Sequence, residues 1–246
     1  MTHDPSTWLS CPAPDPDARL RLVCFAHAGG SASFFREWTI PGCEVHGVRY
    51  PGRAERIDEP SPTDLRRLAD DIAAALMPLA DRPLALFGHS MGAAVALETA
   101  RSLEARGVVP AHLFASGSRD APLPGPEEMV LEDDADVPER LARLGGTDPE
   151  LASDPFFLEL VLPYIQGDGR MFHDYEHRAE PPLRCPVTTI VGDADPDADR
   201  RPWHELAAGG FHERTVTGDH FYLVADPPFA LLADCLGGLS PSEGAR

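Results

Sequence analysis

The segment Leu84-Ala-Leu-Phe-Gly-His-Ser-Met-Gly-Ala-Ala-Val-Ala-Leu97 runs from a short apolar stretch through Gly88-His89-Ser90-Met91-Gly92 into an alanine-rich continuation. In G-x-S-x-G the serine occupies a cramped strand-to-helix turn. Both flanking positions must be almost free of side chain, and the hydroxyl is presented above the end of a sheet. The context agrees with the motif: residues 84–87 read as a buried parallel strand, and residues 93–105 as a helix that is small where it approaches that strand. Ser90 is therefore the first candidate nucleophile.

The flanking sequence repeats this alternation. Residues 21–26, 44–50, 111–116, 183–191 and 211–216 have strand character. Leu65, Leu68, Ile72, Leu76 and Leu79 recur at helical steps, and residues 203–208 and 228–236 read as further helices. The implied fold class is α/β: a mostly parallel central sheet with helices on both faces. With 246 residues, 43% of them apolar, the chain supplies one sizeable core. Residues 19–121 and 172–238 are expected to form that core, and residues 1–18 an irregular arm with Trp8 and Leu9 tucked against the body. Residues 122–171 interrupt the alternation with proline-rich acidic loops and apolar helical faces, as an inserted helical lid would. Within it, Phe156, Phe157, Leu160 and Leu162 are candidate walls of a substrate passage. Residues 239–246 read as a frayed end.

The formal net charge is -19, and all 21 basic residues are arginine. This balance argues against a nucleic-acid or anionic-membrane surface. No run of about 18 apolar residues is present, and the start lacks both the basic and apolar parts of a signal peptide, so a cytoplasmic protein is expected. Five widely spaced cysteines without C-x-x-C indicate neither a disulfide framework nor a zinc site.

A serine hydroxyl needs a base within hydrogen-bonding reach. His220, in the polar turn Gly218-Asp-His-Phe after a late strand, is the candidate. Asp195, in Gly192-Asp-Ala-Asp-Pro, is the candidate acid that would hold the histidine's tautomer, with Asp193 as runner-up in the same loop. The order Ser90, Asp195, His220 is that of an α/β-hydrolase. His27 and His89 are rival histidines: His89 adjoins Ser90 on the elbow and is expected to point away, and His27 to be a structural or pocket-wall residue. His27-Ala-Gly-Gly30 follows the first long strand and is either an ordinary strand-helix turn or a site where glycines let backbone N–H groups face open space, able to stabilise an oxyanion. Arg49, Arg53 and Arg56 cluster after the next strand. They either form internal ion pairs that shape the loop or offer a docking surface to an acidic partner.

Taken together, residues 22–31 (Leu-Val-Cys-Phe-Ala-His-Ala-Gly-Gly-Ser), Tyr50-Pro-Gly-Arg-Ala-Glu-Arg56, Phe87-Gly-His-Ser-Met-Gly92, residues 163–175, Cys185-Pro186 and Gly218-Asp-His-Phe-Tyr222 resemble the stand-alone type II thioesterases that accompany modular polyketide synthases and non-ribosomal peptide synthetases. The resemblance implies hydrolytic removal of stalled or misprimed acyl groups from the phosphopantetheine arm of acyl or peptidyl carrier proteins. It makes Ser90 the nucleophile, His220 the base, Asp195 the acid, and the backbone N–H groups of Ala28 and Met91 the oxyanion hole. No metal or redox cofactor is implied, since the phosphopantetheine belongs to the partner. Carrier domains of this kind are usually acidic, so docking on this chain calls for a local basic patch, for which Arg53 and Arg56 are the candidates. The chain keeps Asp168 but carries Gln166 and Gly169 where many relatives have an arginine and an aromatic or aliphatic residue. A small-molecule carboxylesterase, an acyltransferase and a non-catalytic binding module are the competing classes.

Overall fold

A computed structural model describes residues 4–124, 154–179 and 181–237. Most of the expected lid, residues 125–153, and the C-terminal end, residues 238–246, lie outside the described residues. At the centre stands β4 (Leu84–His89), all six residues of which are buried, as expected for a parallel strand covered on both faces. On one side of it lie β2 (Leu20–Phe25) and β3 (Cys43–Val48). On the other lie β5 (His112–Ser116), β7 (Val187–Gly192) and β9 (Phe211–Val216), and all these neighbours pair in parallel. With β1 (Leu9–Ser10) at the edge beside β3, the seven-stranded order is β1-β3-β2-β4-β5-β7-β9.

Helix α2 (Leu65–Leu76) begins where Asp64 accepts from the Arg67 N–H, and it buries Leu65, Leu68, Ile72 and Leu76 along one face. It packs on α3 (Met91–Ala105), in which every residue from Met91 to Arg101 is buried. That pattern marks a helix enclosed by its neighbours.

From Pro5 to Ser10 the N-terminal arm, expected to be irregular, forms regular structure. Asp4 caps a single-turn helix, α1 (Pro5–Trp8), and β1 (Leu9–Ser10) adds an antiparallel edge strand, pairing Leu9 with Val48. The Trp8 side chain supplies the reason: it is 1% exposed, under the Arg56 guanidinium 4.0 Å from its ring. Such burial outweighs the disordering composition around it. After Ser31 the chain makes a 3-10 turn, Ala32–Phe35. Helix α4 (Pro155–His173) runs well past the apolar stretch that suggested it, through Pro163, Gly167 and Gly169, so the boundary drawn at residue 171 falls inside a helix. Strands β6 (Ser118–Asp120) and β8 (Asp199–Arg201) form a separate parallel pair that the sequence did not suggest. Short helices α5 (Trp203–Leu206) and α6 (Tyr222–Ala225), then α7 (Phe229–Gly237), complete the described chain.

Glu44 on β3 binds the arm to the sheet. Its carboxylate accepts from the Asp15 N–H at 3.1 Å and the Arg21 guanidinium at 2.9 Å, and lies 2.9 Å from the His46 ring. Burial opposes its ionisation, but these partners outweigh burial and hold its pKa at about 2, against an ordinary 4.5. A folded-state pKa below the unfolded value contributes stability above the unfolded pKa, and loses it as pH falls toward the folded one. Glu44→Gln is therefore expected to lower the melting temperature at pH 7 and to flatten its decline between about pH 5 and pH 2. Thermal melts of both proteins across that window provide the check.

Candidate active site

Ser90 stands between β4 and α3 with φ 55° and ψ -123°, a backbone region that non-glycine residues occupy only when their surroundings enforce it. Its N–H donates to the Ser116 carbonyl at 2.9 Å. The two glycines of the motif have steric reasons. A Cβ at Gly88 would overlap the Gly92 backbone, and one at Gly92 would overlap the carbonyls of Phe25 and Ala26. The first turn of α3 thus abuts the end of β2, next to the loop containing Ala28. The Met91 N–H is one of the first-turn donors that a helix leaves without an internal acceptor. In the loop, the Gly30 N–H closes a turn on the His27 carbonyl at 2.9 Å, and Gly29 has φ +79°.

The structure separates the aspartates of the acid loop. Asp195 Oδ2 lies 2.9 Å from His220 Nδ1, and the Asp195 side chain is wholly buried. Its other oxygen accepts from the Asp197 N–H at 2.9 Å, so the carboxylate is oriented toward the ring. Asp193 accepts from the Gly218 N–H at 2.9 Å and pins the turn carrying the histidine. Asp219 accepts from the Phe221 N–H at 2.8 Å within that turn. Gly192 lets the two loops meet, since a Cβ there would overlap the carbonyls of Gly218 and Asp219.

His89 is not turned out of the site. Its ring lies 5.0 Å from that of His220, while its Nδ1 is 2.9 Å from Ser116 Oγ, itself 2.7 Å from the Tyr222 hydroxyl. Burial, with the neighbouring His220 and His27, pushes the His89 pKa well below its ordinary value, so this ring is neutral at pH 7. Gly117 has φ +64°, and a Cβ there would meet His220 Cε1 at 2.8 Å and His89 Cε1 at 2.9 Å. Sequence reasoning missed Ser116, Gly117 and Tyr222; the glycine closing a strand was the one local signal. His27 meets Phe34 and Phe221 edge-on at 5.2 and 5.3 Å.

A cavity of about 860 Å³ opens beside the His27 to Gly30 loop, walled also by Phe34, Trp38, Phe157, Leu160, Val161 and Tyr164. Phe157 and Leu160 of the expected passage are on its wall; Phe156 and Leu162 are not. Positions three and four apart share a helix face, which selects Phe157, Leu160, Val161 and Tyr164. Phe156 is 83% exposed, and Leu162 packs with the Val161 and Ile165 cluster.

The arginine cluster takes the internal alternative. Arg53, 2% exposed, donates to both oxygens of Asp168 at 2.6 and 2.5 Å. Arg56, 6% exposed, donates to Glu59 at 2.7 and 2.6 Å and to the Arg49 carbonyl at 2.9 Å. Neither guanidinium is offered to an incoming carrier, which corrects the docking assignment. Among the described residues, one group has metal-ligating atoms clustered within 4.8 Å: Cys11, Glu44 and His46. The Arg21 charge on Glu44 opposes a cation there. Among the described residues no helix is long and apolar enough to cross a membrane.

A parallel sheet carrying a serine elbow after its central strand, a carboxylate after a later strand and a histidine after the last is the arrangement of an α/β-hydrolase. Within that class, residues 20–236 match the thioesterase domain family, and the chain belongs to it. It is 42% identical to thioesterase PikA5 of Streptomyces venezuelae over 91% of this chain and 82% of that one. To a probable cadicidin biosynthesis thioesterase of Streptomyces griseus it is 40% identical over 88% of this chain, spanning 62% of that relative. The solved structure of BorB, a type II thioesterase from the borrelidin biosynthetic cluster, superposes with a TM-score of 0.79 at 34% identity, covering 96% of this chain and all of that one. The type II thioesterase resemblance read from the sequence holds.

The hydrogen bonds distinguish two neighbouring carboxylates, so the roles separate kinetically. Asp195→Asn is expected to lower kcat on an acyl thioester by about 10³ to 10⁴, the scale known from serine proteases that lose this carboxylate. Asp193→Asn, which loosens a turn, should cost about tenfold or less. Steady-state kinetics on both variants check the order; a larger loss at Asp193 would transfer the acid role.

Proposed function

We propose that this protein hydrolyses acyl thioesters from the phosphopantetheine arm of acyl or peptidyl carrier proteins, clearing aberrant or stalled acyl groups in polyketide or peptide biosynthesis. The observation that carries the reading is the 2.9 Å contact between His220 and the buried Asp195, at the same sheet edge as the strained Ser90 elbow. The relatives' names support the thioester and the biosynthetic setting.

In this reading Ser90 Oγ attacks the thioester carbonyl while His220 Nε2 takes its proton. Asp195 holds the ring in the required tautomer and supports the resulting positive charge. The Ala28 and Met91 N–H groups hold the oxyanion. Collapse of the tetrahedral intermediate breaks the C–S bond, and His220 returns its proton to the departing pantetheine thiol. Water, deprotonated by His220, then attacks the acyl-enzyme; collapse releases the carboxylic acid and restores Ser90. The apolar wall formed by Phe34, Phe157, Leu160 and Val161 receives the acyl chain. The cycle calls on no metal or redox cofactor. The reading places the enzyme in the cytoplasm with its carriers.

Two measurements test it. Intact-mass analysis of several acyl-carrier substrates should show loss of the acyl group with the wild type and almost none with a folded Ser90→Ala variant. A serine-directed phosphonate should label Ser90 in peptide mapping. An adduct elsewhere sinks the nucleophile, equal turnover of simple lipid esters favours a carboxylesterase, and transfer to an added alcohol favours an acyltransferase.

The cavity wall gives a second test. Enlarging the passage with Phe157→Ala or Leu160→Ala should change the ratio of rates for long and short acyl chains several-fold, because each methylene in an apolar pocket is worth about 1 kcal/mol. Phe156→Ala, on the outer face of α4, should leave that ratio unchanged. Competition between acyl thioesters of two chain lengths in one reaction reads this directly.

A further inference from the structure

Asp168 on α4 is completely buried, and its carboxylate reaches into the backbone of a loop 139 residues away in sequence. Oδ2 accepts the Gly29 N–H at 2.9 Å and an Arg53 N–H at 2.6 Å, while Oδ1 accepts a second Arg53 N–H at 2.5 Å. The same Arg53 nitrogen that bonds Oδ2 also donates to the Gly30 carbonyl at 3.1 Å. One ion pair thus holds the donor of Gly29 and the acceptor of Gly30. The guanidinium is packed by Tyr50 and Tyr164, 5.2 and 5.0 Å from the ring centres. A Cβ at Gly29 would come within 3.0 Å of Ile165 Cγ1, so α4 rests directly on this loop.

The Gly29 N–H belongs to the peptide immediately after Ala28. Fixing one peptide plane restricts its neighbour, because only the two backbone torsions of Ala28 lie between them. We propose that Asp168, assisted by Arg53, is a positioning residue that orients the Ala28 N–H toward the developing oxyanion and couples helix α4 to the oxyanion hole.

The chemistry of the pair suits this position. Charge-assisted hydrogen bonds are shorter and stronger than neutral ones, so the carboxylate holds the loop amide firmly. A bare carboxylate there would oppose the negative charge developing at the next peptide; the bidentate guanidinium neutralises it. A buried ion pair is weak evidence of stabilisation, since desolvation offsets much of its attraction. What distinguishes this one is that its hydrogen bonds end on the loop backbone.

The inference rests on the proposed hydrolase reading, and the experiment keeps the two apart. The substrate is a short acyl thioester of N-acetylcysteamine, too small to need a carrier surface, and the probe is a trifluoromethyl ketone whose carbonyl carbon accepts Ser90 Oγ to form a hemiketal oxyanion. Asp168→Asn alters the pair with little change of shape. Arg53→Met/Asp168→Leu removes both charges together and so avoids a lone buried ion. Each is expected to lower kcat about 10- to 100-fold, below the loss for deleting an oxyanion donor outright. KM should stay within about twofold, and ketone affinity should fall by the same factor as kcat/KM. If the double variant does not fold, Asp168→Asn decides the matter. Folded variants with unchanged kcat, or with KM alone raised, would overturn the positioning role and leave the hydrolase reading intact. A wild type that binds the ketone no better than Ser90→Ala would overturn the hydrolase reading and the positioning role with it.

Discussion

Everything at the candidate site depends on the contact of backbone with backbone at the elbow. Helix α3 starts so close to the ends of β2 and β4 that two positions of the motif have no room for a Cβ. Ser90 between them is held in a region of φ and ψ that it would not adopt alone. The strain is sustained by the surroundings: a wholly buried central strand, a hydrogen bond from Ser90 to β5, and a helix enclosed on nearly every side. The same closeness puts the first-turn donors of α3 beside the loop after β2. The position of the candidate nucleophile and of the proposed anion-binding groups therefore comes from one packing constraint.

Around that point the molecule places charge in pairs. Arg53 with Asp168 ties the loop after β3 to α4, while Arg56 with Glu59, three residues apart, closes a turn within that loop. Farther along α3, Glu98 accepts from Arg101 and from the Tyr175 hydroxyl, fastening the chain that leaves α4 to the helix that follows Ser90. Arginine suits such sites because its planar fork satisfies a carboxylate and still has donors for carbonyls. The arginines near the site therefore serve internal architecture, although the net charge is strongly negative.

The parts of this arrangement legible in the sequence were those encoded locally. G-x-S-x-G announces its own sterics, β9 was delimited by its residues, and Gly218-Asp-His-Phe marks a polar turn after a strand. What escaped was encoded across the fold. Nothing in the spacing of Ser116 and Tyr222, 106 residues apart, indicates that they share a hydrogen bond beside His89. Composition marks the first 18 residues as irregular because proline and aspartate dominate them, while long-range contacts, the buried Trp8 indole and the Glu44 bond to Asp15, hold the arm from residue 4 onward. Periodicity identified an apolar helix near residue 156 but not its facing, so two of the four residues assigned to the passage point elsewhere. The sequence ranks Asp195 above Asp193 in the acid loop, while the different partners of the two carboxylates appear only in the hydrogen bonds.

The two ends of the sheet differ in a way that bears on how the molecule meets others. At one end the two-residue β1 is laid antiparallel on β3, leaving an outer rim too short to serve as a template. At the other, β9 presents His212, Glu213 and Arg214 exposed to solvent along its length. A brief terminal strand and a charged one are both means by which sheets avoid recruiting a further strand from another chain. Among the described strands, lateral growth of the sheet is thereby discouraged in both directions.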